Sequence, residues 1–290
     1  MSAASSPSPF QHAIGVFDSG VGGLSVLRAI RAALPQENLI YVADSGHAPY
    51  GEQSEAHITQ RTLTVGAWLA EMGVKAITIA CNTATVVAAR TLREQTHLPV
   101  VAIEPAIKPA VALTRSGVVG VLATRQTVQS ESVARLCAQH GAGKRILLQA
   151  CTGWVELVEQ ADLHSPHTEA LVRQHVEPLL AQGADTLVLG CTHYPFLRDT
   201  IQRVAGEQVT LIDPAEAVAR ELARRLSQMP LATPALAAVN PLAATTTSST
   251  VATPSPSVRF FTSGDVMQVQ SVVSHLWGEN TVVAPWVSAG

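Results

Sequence analysis

The chain has 290 residues, 19 Lys and Arg against 22 Asp and Glu, a net charge of −3, 47% hydrophobic and 14% charged residues. That is enough apolar material for one large domain or two small ones. The lack of a basic patch and a 4% aromatic content exclude the usual nucleic-acid footprints. The four cysteines, Cys81, Cys137, Cys151 and Cys191, form no C-x-x-C ladder, so neither a disulfide scaffold nor a structural zinc site is expected. The Ser/Pro-rich start is not a signal peptide, and no apolar run reaches about 18 residues. These readings point to a soluble cytoplasmic protein with reduced thiols and no membrane or metal partner.

After a loose tail over 1–11, the apolar run at 13–17 predicts a first strand. Asp18-Ser19-Gly20 follows, then a helix over 24–34. A second strand at 39–43 leads into the turn-rich loop at 44–51, which contains Pro49-Tyr50-Gly51. A long helix over 55–72 stops at Gly73. A buried strand at 76–80 ends at Cys81, and a helix over 84–95 and a strand at 100–103 follow.

The second half begins again. A strand at 117–123 resembles the first one and runs into Thr124 and a helix to about 140. A strand at 145–149, a helix over 168–182 stopped by Gly183, and a strand at 186–190 ending at Cys191 complete the unit. Gly15 to Cys81 spans 66 positions and Gly120 to Cys191 spans 71. Alternating strands and helices predict parallel sheets. The repeated order predicts an α/β fold of two pseudo-symmetric lobes with the site in the cleft between them. A helix over 215–226, an uncharged Ala/Thr/Ser/Pro-rich insertion over about 228–257, a returning strand at 258–264 and a closing helix to about 277 finish the chain.

Each of Cys81 and Cys191 stands at the carboxyl end of a buried strand, where open α/β sheets bind ligands. A cysteine there reads on its own as a small buried hydrophobe. Two at equivalent ends, each followed by a threonine-containing tail, read as a pair of acid/base groups on opposite faces of one ligand. Cys137 reads as core and Cys151 as structural. His193, two residues past Cys191, is a candidate to assist that thiol or, less favourably, a packed loop histidine. Asp18 is either a ligand contact or a helix cap. Its glycine-containing loop is not the G-x-G-x-x-G fingerprint. Tyr50 is a ligand contact or a packed ring, and Thr83 and Thr192 are caps or carboxylate donors.

Taken together, Gly15-Val16-Phe17-Asp18-Ser19-Gly20-Val21-Gly22-Gly23-Leu24, Ala43-Asp44 with Pro49-Tyr50-Gly51, Ala80-Cys81-Asn82-Thr83-Ala84-Thr85 and Gly190-Cys191-Thr192-His193-Tyr194-Pro195 resemble the glutamate racemases. The likeness runs from about 13 to 213 and resumes at Phe260-Phe261-Thr262-Ser263-Gly264-Asp265. It implies cofactor-independent interconversion of L- and D-glutamate, supply of D-glutamate for peptidoglycan, and a homodimer. It implies that Cys81 and Cys191 are the acid/base pair, with Asp18 assisting the first and His193 and Glu159 the second. It also implies substrate contacts from Asp18, Ser19, Pro49, Tyr50, Gly51, Asn82, Thr83, Thr124, Thr192 and His193. The family organisation implies lobe one from 1–98 plus 210–290 and lobe two from 99–209. Thr152 and Glu156 depart from the family pattern around Cys151. Aspartate racemase is the nearest alternative, and a Cys–His thiol hydrolase or transferase a more distant one.

Overall fold

The computed structural model describes residues 10–229, 256–278 and 281–286. The N-terminal tail to residue 9 and most of the 228–257 insertion lie outside the described residues.

The first unit runs β1 (Ile14–Asp18), α1 (Leu24–Ala33), β2 (Leu39–Ala43), α2 (Glu55–Glu71), β3 (Ala76–Ile79), α3 (Asn82–Gln95) and β4 (Val100–Ala102). The second runs α4 (Ile107–Leu113), β5 (Val118–Ala123), α5 (Arg125–Gln129), α6 (Glu131–His140), β6 (Arg145–Ala150), α7 (Trp154–Glu159), α8 (Pro166–Ala181), β7 (Thr186–Leu189), α9 (Arg198–Ala205) and β8 (Thr210–Ile212). The chain then returns through α10 (Ala215–Ser227), β9 (Val258–Thr262), α11 (Val266–Trp277) and β10 (Val283–Pro285).

Two sheets result. One has the order β10-β9-β2-β1-β3-β4 and the other β6-β5-β7-β8. All the strand pairs are parallel, as expected when helices form the crossovers. The stretch β2-β1-β3-β4 and the stretch β6-β5-β7-β8 share one strand order, so the internal repeat is topological as well as sequential. Cys81 follows β3 and Cys191 follows β7, equivalent strands of the two sheets. Gly73 and Gly183, with φ of +80° and +90°, end the helices leading into those strands, a conformation that disfavours any side chain.

β4 pairs with β3 and so belongs to the first sheet; β8 pairs with β7 and belongs to the second. Each short strand is a crossing segment whose sheet is set by a distant partner, not by local pattern. The helix expected after residues 124–127 and running to about 140 is preceded by a second short one over Arg125–Gln129. Ser130, in extended conformation, ends α5 and caps α6 by accepting from the N–H of Val133. Cys137, expected in the core, is half-buried on α6.

The strands alternate faces. Val16, Leu39 and Tyr41 join Leu27, Trp154, Leu187 and Tyr194 in one core that runs through both sheets. Phe17, Ile40, Val42 and Ile77 face α2 and α3 on the far side of the first sheet, and Val119, Val121 and Val188 do the same in the second. The shared core brings the carboxyl ends of β1 and β3 toward those of β5 and β7. No helix among the described residues is long and apolar enough to cross a membrane.

Candidate active site

The strand ends deliver the side chains. Asp18 is the last residue of β1 and is fully buried. Its Oδ1 accepts from the N–H of Gly20 at 2.8 Å, and its Oδ2 accepts from the hydroxyl of Thr192, which lies in the other half, at 2.9 Å. Burial raises the Asp18 carboxyl to about 6, against the opposing pull of His193, Gly20 and Thr192.

Cys81 is the N-cap of α3: its sulfur accepts from the N–H of Ala84 at 3.4 Å, and its thiol points at the hydroxyl of Ser19, 3.6 Å away. Burial pushes this thiol up to about 12, and the neighbouring Asp18 adds to the effect. The bonds with Ala84 and Ser19 offset only part of it. Cys81 therefore stands as a protonated thiol.

The other side is built differently. Cys191 Sγ lies 3.7 Å from Nδ1 of His193, whose Nε2 lies 2.6 Å from Oε1 of Glu159. The same Glu159 oxygen accepts from the N–H of Val21 at 2.8 Å. Burial alone would lower the His193 imidazole, but its bonds to Cys191 and Glu159 outweigh burial and hold it well above the usual histidine range. A buried imidazolium donates from both nitrogens, one toward sulfur and one toward carboxylate. This is the nucleophile–base–orienter geometry with sulfur at its head. One half thus presents a neutral thiol and the other a sulfur beside a fixed cation, two environments that separate an acid from a base.

Close packing between the halves requires glycine at two points. A Cβ on Gly20 would lie 1.9 Å from Oε1 of Glu159, and one on Gly22 would lie 2.3 Å from Nδ1 of His193. The β1–α1 loop thus presses its bare backbone against the acid/base chain of the other half.

Asn82 is buried, and neither its amide nitrogen nor its amide oxygen has a partner. Such an amide keeps a donor and an acceptor free for polar groups of a ligand. Thr83, Thr124 and Thr127 form a hydroxyl cluster across the halves, at 3.0 Å for Thr83–Thr124, 3.3 Å for Thr83–Thr127 and 2.9 Å for Thr124–Thr127. Gly51 lies against Thr124. Pro49, Gly51, Thr124 and Cys151 line a cavity of about 20 Å³ beside this cluster.

Ser19, Cys81, Asp18, Thr192, Cys191, His193 and Glu159 thus form one continuous set, and Asn82, Thr83, Thr124 and Gly51 another beside it. The Tyr50 O–H donates to Oδ2 of Asp44 at 2.5 Å. Sequence reasoning missed three buried participants. Tyr41 pins the carbonyl of Gly20 at 2.6 Å, Thr127 completes the hydroxyl cluster, and Asp44 holds Tyr50. Only Asp44 left a trace in the sequence, as the polar residue ending an apolar strand beside the Pro49-Tyr50-Gly51 turn.

The chain matches the model of the Asp/Glu/hydantoin racemase family over residues 14–222. A glutamate racemase of Ralstonia pickettii (strain 12J) is 50% identical over 269 residues, covering 93% of this chain and 89% of that protein. One of Methylococcus capsulatus (strain ATCC 33009 / NCIMB 11132 / Bath) is 57% identical over 216 residues, 74% of this chain and 80% of that protein. Among solved structures, Escherichia coli glutamate racemase in complex with L-glutamate and the activator UDP-MurNAc-Ala superposes with a TM-score of 0.81 at 32% identity, covering 97% of this chain and all of that one. Isoform RacE1 of Bacillus anthracis gives 0.81 at 31% identity, with 95% and 97% covered. With the sheets, the strand ends and these likenesses in agreement, the chain belongs to the Asp/Glu/hydantoin racemase family, among its glutamate racemases.

Proposed function

We propose that this protein interconverts L- and D-glutamate by proton transfer between two cysteines, without a cofactor. Cys191, as thiolate beside the His193 cation, removes the α-proton of one enantiomer. The C–H electron pair passes into the α-carboxylate as a carbanion or enediolate. The Cys81 thiol then delivers a proton to the opposite face. The products are the mirror amino acid, a Cys191 thiol and a Cys81 thiolate, and this second protonation state is the one that processes the other enantiomer. Positioned side-chain acids and bases of this kind contribute about 10² to 10⁴-fold each.

The observation that carries the reading is the pairing of unlike sulfur environments at equivalent strand ends: Cys81 raised to about 12 by burial, and Cys191 backed by His193 and Glu159. Asn82, with its unpartnered amide, and the hydroxyls of Ser19, Thr83, Thr124 and Thr192 are the groups we assign to the amino acid's charged ends. The activity fits a cytoplasmic homodimer supplying D-glutamate for peptidoglycan.

The test is a chiral assay of L- and D-glutamate beside L- and D-aspartate. Racemisation of glutamate at a much higher kcat/KM than aspartate is expected. Preference for aspartate, or a covalent substrate adduct on Cys191 with no racemisation, would replace this reading.

A further inference from the structure

One buried carboxylate has no part in the proton transfers. Asp44, directly after β2, is fully buried and accepts four hydrogen bonds from three separate parts of the chain. Arg61 on α2 binds it through Nε and Nη2, both at 2.9 Å; Tyr50 donates at 2.5 Å; and Ser263, following β9, donates at 2.6 Å. The buried Trp286, following β10, covers the cation, with its ring centre 5.1 Å from the Arg61 guanidinium carbon. Trp68 packs in turn on Trp286.

This is a costly arrangement for a merely structural contact. A buried ion pair gives little net stability relative to apolar residues of the same shape. What it does supply is direction: a bidentate, charge-assisted pair fixes the orientation of whatever else bonds the same carboxylate. Here that is the Tyr50 hydroxyl. Asp44 sits below the usual carboxylate range, because Arg61, Ser263 and Tyr50 outweigh burial. The Tyr50 hydroxyl is pushed far up by burial and by Asp44, so it stays protonated and bonded to that carboxylate. Its ring is a strut. Pro49 and Gly51, its neighbours in sequence, line a small cavity between the halves, with Gly51 packed against Thr124.

We propose that Asp44 and Arg61 are positioning residues that act through Tyr50 to hold the Pro49–Gly51 wall at the spacing a bound amino acid needs. The inference deepens the racemase reading and rests on it. It also gives the returning C-terminal segment a purpose, since β9 and β10 carry Ser263 and Trp286 to the pair.

The test compares steady-state kinetics of Tyr50→Phe, Asp44→Asn, Arg61→Lys and the Tyr50→Phe/Asp44→Asn double variant with the parent. Melting curves and circular dichroism are recorded alongside. Loss of one charge-assisted bond predicts a KM for glutamate raised about tenfold in Tyr50→Phe and Asp44→Asn, with kcat changed much less. Arg61→Lys, which keeps the charge but loses the fork, should fall between parent and Asp44→Asn. The double variant should be no worse in KM than Asp44→Asn alone, because both changes cut the same link. If Asp44→Asn does not fold, Tyr50→Phe, which deletes one oxygen, decides. Folded variants with lower melting temperatures and parental KM would overturn the proposal and leave the racemase reading intact. A parent that does not racemise glutamate would overturn both.

Discussion

The hydroxyl of Thr192 donates to Oδ2 of Asp18 at 2.9 Å, joining the residue after one strand-end cysteine to the carboxylate beside the other. The two halves of the molecule therefore share a buried charge. Any change in that charge is felt on both sides of the cleft.

Asp18 gives a pH signature. Its carboxyl stands at about 6 in the folded protein against an ordinary value of 3.8, chiefly through burial. The folded state thus holds this proton at pH values where the unfolded chain has released it. The contribution of Asp18 to stability is fully present below about 4, falls as pH rises toward about 6, and is constant above that. Asp18→Asn should abolish this segment of the stability–pH curve, as measured by chemical denaturation at intervals of pH. The parent kcat/KM profile should carry an acidic limb near 6 that the variant lacks.

Glu159 supports the cation. Glu159→Gln removes the anion that keeps His193 protonated, so the basic limb of the pH–rate profile should move to lower pH, and kcat/KM should fall about 100-fold. The fall must be equal for both enantiomers, because the equilibrium constant of a racemisation is one. An unmoved basic limb in a folded variant would show that His193 does not need this partner.

Gly22 tests the contact between halves. The missing side chain leaves room for the His193 ring, which a Cβ would meet at 2.3 Å. Gly22→Ala should displace the imidazole and reduce kcat about 100-fold or more, the cost of a misplacement near 1 Å. The melting temperature should fall as well, because the added methyl group overpacks a buried contact.

Asp185 governs stability away from the site. It accepts from the hydroxyls of Thr114 at 2.6 Å and Thr186 at 2.9 Å, and from the N–H groups of Arg115 at 2.8 Å and Ser116 at 2.7 Å, tying the turn before β5 to the start of β7. These donors outweigh burial and hold its carboxyl well below the usual range. Asp185→Asn should cost about 1 kcal/mol near neutral pH. The gap should narrow as pH falls below the ordinary carboxylate value, since the parent then loses the same interaction. Activity per folded molecule should be retained.

The succession of strands and helices along the chain and the two cysteines at strand ends were legible because they follow from local pattern: apolar runs of strand length, glycine stops and a repeated cassette. The short helices α4, α7 and α9 were not legible. Their few turns carry too little periodicity to stand out, so Glu159 was placed by likeness and not by element. β10 escaped because its pairing partner Phe260 lies 23 positions earlier, across a closing helix. The direction of the Tyr50 hydroxyl was not legible either. It is set by Asp44, Arg61 and Ser263, and the bond from Ser263 spans 219 positions.

The measurement that bears most directly on two sulfurs serving opposite faces of one carbon is α-deuterium incorporation in heavy water, by parent, Cys81→Ser and Cys191→Ser. Newly formed enantiomer from the parent should carry solvent deuterium at the α-carbon, and each serine variant should lose racemisation in both directions by about 10³-fold or more. Either variant turning over at near the parental rate, or parental product without solvent deuterium, would contradict the account.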